Sequence, residues 1–132
     1  MSIWNIKGQF LVKKINVYHK DWIRTLIFTK DGKTLFSGDR MGAIRALDTK
    51  SGKQIKLTNS VVHDTNVIKF IKPSSSEIFC LKVSPDGKYL FASSADKNVY
   101  QWDLSTMKIV RIYKEVSEGF ARFIEISQND KY

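Results

Sequence analysis

The stretch "VSPDGKYLFASSADKNVYQWDL", Val83 to Leu104, alternates short apolar runs with turn residues and closes on Trp-Asp. A second copy, "FTKDGKTLFSGDRMGAIRALDT", runs from Phe28 to Thr49 and has Leu47 where the first has Trp102. Each copy carries Asp-Gly in its first turn. Asp and Gly tolerate the left-handed backbone that a tight hairpin needs, so each copy reads as strand, turn, strand, turn, strand.

Further landmarks extend the pattern in both directions. "ISQNDKY" at Ile126 aligns with the two Asp-Gly turns, and "IWN" at Ile3 aligns with "ALD" at Ala46 and "QWD" at Gln101. Thr29 and Ser84 lie 55 residues apart, and Ser84 and Ser127 lie 43 apart. In the other series Trp4 and Leu47 lie 43 apart, and Leu47 and Trp102 lie 55 apart. Both series therefore give a unit near 43 residues and place 12 extra residues between Leu47 and Ser84. Two independent landmarks agreeing on one period establish an internal repeat.

Each unit reads as four short strands. In the second unit they are expected at about 78–83, 89–94, 98–102 and 108–113, separated by Pro85-Asp86-Gly87, Asp96-Lys97 and Ser105-Thr106. Val, Ile, Phe, Tyr and Leu dominate the strands, as a pleated buried surface prefers. "EIFCLKV" and "KYLFAS" are nearly continuous apolar runs rather than strict alternations, which predicts sheets covered on both faces. Helical periodicity is not convincing anywhere in the chain, so the fold class is all-β.

Composition agrees with a small globular chain. The 132 residues are 42% hydrophobic and 27% charged, long enough for one modest core. No apolar run is long enough to span a bilayer. The opening "MSIWNIKGQFLVKK" breaks up its apolar residues with polar ones and does not read as a signal peptide. Cys80 stands alone, so no internal disulfide is expected and a reducing compartment is the default. The net charge of +9 is uneven: residues 1–56 carry +8 and residues 57–132 carry +1. Such a lopsided balance fits an anionic partner or nucleic acid. Yet the basic residues are spaced singly apart from Lys13-Lys14, which fits solvated strand edges and loop tips equally well.

On these residues the chain resembles the WD-repeat proteins, whose units of about 40–45 residues each form one four-stranded propeller blade. The first unit matches the family's opening with His19 followed by "KDWIRTLIFTKDG", and the second matches its close with "LFASSADKNVYQWD". The resemblance implies a partial β-propeller: two complete four-stranded antiparallel blades with half-blade fragments at each end. The boundaries expected are 1–18 for the C–D strands of a preceding blade and 19–59 for the first full blade. An insertion follows at 60–77, then a second full blade at 78–116 and the start of a third at 117–132. "VIKFIK", within the insertion, could pair with "EIFCLKV" as a long hairpin.

The resemblance also implies a structural hydrogen-bond set of His, Ser or Thr, Asp and Trp, because a buried indole N–H needs an acceptor. Here the expected members are His19, Ser37, Asp96 and Trp102, split between the two units. Met41 stands at the Asp position of the first unit and Ala92 at the hydroxyl position of the second, with Ser94 as a possible substitute. His63 is the histidine available to the second unit. The first unit therefore reads as having exchanged a polar relay for packing, with no buried charge left behind.

Trp22 and Arg24 are the candidate partner-binding residues, since Trp and Arg serve as interface anchors. No phosphate-cradling loop, metal-ligand spacing or nucleophile arrangement is present, so no catalytic residue, cofactor or metal is expected, and Cys80 lies mid-strand without a nearby His. Two full units cannot close a ring. The chain is expected to be an excerpt of a longer protein, or to complete a ring with another chain, or to persist as a small open structure. The functional expectation is a non-catalytic protein-interaction scaffold, located in the cytoplasm with the nucleus left open. Its partners would be other proteins or further blades, in cis or in trans. A basic nucleic-acid- or ribonucleoprotein-associated module is the alternative, and no membrane partner is expected.

Overall fold

A computed structural model describes residues 2–5, 7–8, 10–14, 19–55 and 75–127. The described residues are all-β and contain no helix. A two-stranded antiparallel piece, β1 (Ser2–Asn5) and β2 (Phe10–Lys14), comes first. Two four-stranded antiparallel sheets follow. The first blade is β3 (Ile23–Phe28), β4 (Thr34–Asp39), β5 (Ile44–Asp48) and β6 (Gln54–Ile55), paired in that order. The second is β7 (Ile78–Val83), β8 (Tyr89–Ser94), β9 (Val99–Asp103) and β10 (Lys108–Tyr113), likewise in chain order. These bounds lie within a residue of those expected from the sequence. The paired segment "VIKFIK", His63 and most of the insertion fall outside the described residues.

The 55-residue offset is visible bond by bond. In the first hairpin Thr29 N donates to Thr34 O, Thr34 N donates to Thr29 Oγ1, and Asp31 Oδ1 accepts from Lys33 N at 3.0 Å. In the second, Ser84 N donates to Tyr89 O, Tyr89 N to Ser84 Oγ, and Asp86 Oδ1 accepts from Lys88 N at 3.0 Å. Gly32 and Gly87 occupy the left-handed position of each turn, at φ 69° and 76°. Even the β-bulges match, falling between Ile23 and Thr25 in one blade and Ile78 and Cys80 in the other. The repeat is thus a repeat of turn chemistry as much as of apolar strands.

The blades pack face to face through one shared core: Phe36, Ile44 and Ala46 from the first, and Ile78, Leu81, Leu90, Ala92, Tyr100 and Trp102 from the second. Burying each large apolar side chain contributes about 1.5–3 kcal/mol. The inner strands are in close approach, and a Cβ on Gly38 would lie 2.7 Å from Ile78 Cγ2. Across the seam Leu81 N donates to Thr25 Oγ1, Lys30 Nζ donates to Pro85 O, and Arg24 pairs with Glu77.

Residues 114–127 enter no β-ladder, where the sequence reading expected an opening strand of a third blade. A strand needs a paired neighbour, and none is offered among the described residues. The segment nevertheless lies along β7. Phe120 packs on Phe79 at 5.9 Å between ring centroids, Arg122 sits over the same ring, and Lys82 Nζ meets Glu125 Oε2 at 2.9 Å. Phe79 and Phe120 stand one repeat beyond Arg24 and Glu77, so an aromatic pair replaces the ion pair at the equivalent place. On the far side of the first blade, Leu26 and Phe28 of β3 are 47% and 46% exposed.

The turns fall on two rims. The β3–β4, β5–β6, β7–β8 and β9–β10 turns form what we term the lower rim. The β4–β5 and β8–β9 turns, the loop entering β3 and the segment leaving β10 form the upper one.

Candidate functional site

The upper rim of the first blade is built on three buried polar side chains. Asp39, the last residue of β4, is 1% exposed and reaches across the turn, where its Oδ1 accepts from Met41 N at 2.9 Å and Ala43 N at 2.8 Å. Its other oxygen lies 2.7 Å from His19 Nδ1, and His19 Nε2 lies 2.7 Å from Ser37 Oγ. A carboxylate only accepts, so Nδ1 carries the proton, and Nε2 accepts from the Ser37 hydroxyl. Burial pushes the His19 pKa below its usual value, against the opposing pull of Asp39, so the ring is neutral at pH 7. Arg45, opposite Ser37 in the β4–β5 ladder, is also largely buried, and Asp39 offsets part of the cost of burying its charge.

This arrangement corrects the reading of the first unit as having given up its polar relay. Met41 does occupy the aligned Asp position, but it is 46% exposed. The carboxylate comes instead from Asp39, two residues earlier. A position-by-position alignment cannot count a side chain that reaches the same turn from a neighbouring residue.

The order Ser–His–Asp is that of an acyl-transfer relay. Its members also share one blade, contrary to the sequence-based expectation that they would be divided. The serine decides against nucleophilic chemistry. Ser37 is 2% exposed, so no substrate can reach its hydroxyl.

The relay fixes the loop above it. His19 anchors the start of that loop, and Arg40 N donates to Trp22 O at 3.0 Å, tying it to the β4–β5 turn. Trp22 itself is 69% exposed, with the Arg40 guanidinium 6.0 Å from its ring centroid. Arg24, the other candidate anchor, is turned to the blade seam, where Glu77 holds it. Arg40 and Met41 join Trp22 on this rim and were not singled out from sequence; the turn that brings them there is set by Asp39.

The second blade handles its polar residues differently. Asp96 Oδ1 accepts from Asn98 N at 3.0 Å, and its Oδ2 accepts from Tyr100 Oη at 2.6 Å. Burial, with that bond, pushes the Tyr100 hydroxyl up to about 12. Trp102 is 1% exposed, yet its Nε1 finds no hydrogen-bond partner among the described residues. The four residues His19, Ser37, Asp96 and Trp102 therefore do not form one set. The first two join Asp39, Asp96 joins Tyr100, and Trp102 serves as core. Among the described residues no group of three or more His, Cys, Asp or Glu is placed to hold a metal ion.

Comparison with known proteins bears on this geometry. Residues 65–103 match the model of the family described as WD domain, G-beta repeat. The solved WD40 repeats of RRP9 superpose with a TM-score of 0.62 at 22% identity, over 76% of this chain and 28% of that one. Residues 65–103 thus read as a WD repeat, and the fold is that of WD-repeat blades. Its two four-stranded sheets are WD blades. WD repeat and SOCS box-containing protein 1 of Danio rerio is 27% identical over 112 residues, 83% of this chain and 23% of that protein. The U3 snoRNP-associated protein-like YAOH of Oryza sativa subsp. japonica is 25% identical over 76% of this chain and 20% of its own length. The chain thus spans about a quarter or less of the length of these relatives. WD propellers are in general non-catalytic scaffolds that bind other proteins.

Proposed function

We propose that this WD-repeat chain is a non-catalytic protein-interaction scaffold within a larger propeller, whose further blades come in cis or in trans, and that its upper rim presents Trp22 to a partner protein. The single observation that carries the reading is Trp22 itself: a large aromatic side chain left in solvent on a loop whose backbone is fixed by Arg40 N and by the His19 relay. An exposed ring on a pre-ordered backbone loses little freedom on binding, which is what an interface anchor requires. Two similar proteins are named for a SOCS box and for a U3 snoRNP, an appended module and an assembly, which suits a scaffold. The burial of Ser37 supports the non-catalytic part, and the lone Cys80 motivates a cytoplasmic location.

Site-directed photo-crosslinking in cells tests the proposal. A benzophenone side chain at position 22 should give discrete protein adducts, whereas one at Ser51 on the lower rim should not. Adducts from position 51 with none from position 22 would place the interface elsewhere.

A further inference from the structure

The lower rim is rich in lysine. Lys30 and Lys33 stand in the β3–β4 turn, Lys50 and Lys53 in the β5–β6 turn, and Lys88 and Lys108 in or beside the turns of the second blade, all six exposed. The turns are joined into one ledge. Thr49 N donates to Lys33 O and Thr49 Oγ1 to Gly32 O within the first blade. Leu104 N donates to Lys88 O within the second, and Lys30 Nζ reaches Pro85 O between them. The backbone positions that carry the lysines are therefore fixed relative to one another.

The carboxylates of this rim face their own turns. Asp31 accepts from Thr29 Oγ1 and Lys33 N, Asp86 from Ser84 Oγ and Lys88 N, and Asp103 from the backbone and hydroxyls of Ser105 and Thr106. Asp48 accepts from Ser51 N and Oγ. Those donors, the hydroxyls foremost, hold the Asp31, Asp86 and Asp103 carboxyls below the usual carboxylate range. Lys33 and Lys88 also lie 3.5 and 3.3 Å from the second oxygens of Asp31 and Asp86, but exposed pairs of this kind yield readily to a competing anion. None of the exposed large hydrophobic side chains falls within these turns, whereas Trp22 and Met41 mark the upper rim.

We infer that the lower rim is a binding surface for the phosphate backbone of nucleic acid, separate from the Trp22 rim. Phosphate recognition needs spaced cations and no apolar anchor. A protein interface centres on exposed aromatic or aliphatic anchors, whereas Leu104 and Met107, the large apolar side chains of these turns, are partly buried against the core. The surface reads charge and spacing, not base sequence.

The test uses the chain with a fluorescent U20 RNA, titrated at 50 and 200 mM salt, and with the triple variant Lys33→Glu, Lys50→Glu, Lys53→Glu. Wild type should bind U20 at low salt and lose most of that affinity at 200 mM. The triple variant should bind at least tenfold more weakly, with a salt slope shallower by about 2, at ~0.7 per lost phosphate contact. The neutral set Lys33→Gln, Lys50→Gln, Lys53→Gln should fall between, which guards against a folding defect in the Glu set. Trp22→Ala should bind as wild type. Equal binding by wild type and both lysine sets, or binding indifferent to salt, would overturn the inference. Displacement of U20 by polyglutamate at equal charge would overturn it too, by assigning the rim to an acidic polypeptide.

Discussion

In the first blade Ser37 and Asp39 of β4 hold His19, and the chain of bonds ends on the loop that carries Trp22. One repeat later those two places belong to Ala92 and Ser94, the carboxylate has moved into the turn as Asp96, and Trp102 fills the core where the first blade has Leu47. The backbones nonetheless agree down to single turn bonds. What the blade fold demands is therefore the turn bonds and the apolar strands. The polar interior is a separate layer that each blade solves in its own way: the first with a buried acceptor that orders a rim, the second with a large ring that packs against its neighbour.

Removing the carboxylate from each blade should break the comparison most sharply. Asp39→Ala leaves His19 Nδ1, Met41 N and Ala43 N without their acceptor and should cost about 3–5 kcal/mol in urea unfolding. Asp96→Ala strands a partly exposed turn N–H and a tyrosine hydroxyl, and should cost about 1–2 kcal/mol. Equal losses would mean that the first blade's relay is not special.

Next in size is the seam. Gly38→Ala puts a methyl group 2.7 Å from Ile78 Cγ2 and should destabilise by about 1–3 kcal/mol through overpacking. Trp102→Phe should cost only about 1–2 kcal/mol, the transfer and cavity loss alone, because no bond to Nε1 is given up among the described residues. A larger loss would show that the indole N–H has an acceptor after all. The smallest effect belongs to the β8–β9 turn, where Lys97 adopts φ 69° at the place Gly42 holds in the first blade. Lys97→Gly should stabilise the chain by about 1 kcal/mol, and the matching Gly42→Lys should destabilise it by more, because Gly42 is buried where Lys97 is exposed.

The fold was legible from residues that do the same thing twice. Thr29 and Ser84, Asp31 and Asp86, Gly32 and Gly87 announce their turns by type and spacing, because short-range backbone bonds depend on local sequence. The strand bounds followed from those turns. The candidate site was less legible, for a physical reason. Asp39 satisfies the first blade's turn from a position whose counterpart in the second blade is a serine, so residue-by-residue matching put Met41 there and concluded that the relay was gone. Arg40 and Met41 reach the rim only because that turn closes as it does. The docking of Phe120 on Phe79 was equally hidden, since nothing local says that an aromatic pair will replace Arg24 and Glu77 one repeat on.

The state of His19 tests the account most directly. Its folded pKa is lowered by burial, so the native chain takes up that proton less readily than the unfolded one. The stability it contributes is present above the ordinary histidine value of about 6.5 and is lost as pH falls below it. Long-range proton–nitrogen NMR, with His19→Gln to assign the ring, reads tautomer and titration together. The relay predicts a neutral ring protonated on Nδ1 that titrates below 6.5, with a fall in melting temperature over the same acid range that His19→Gln removes. An Nε2–H tautomer, or a ring that titrates at or above 6.5, would contradict it.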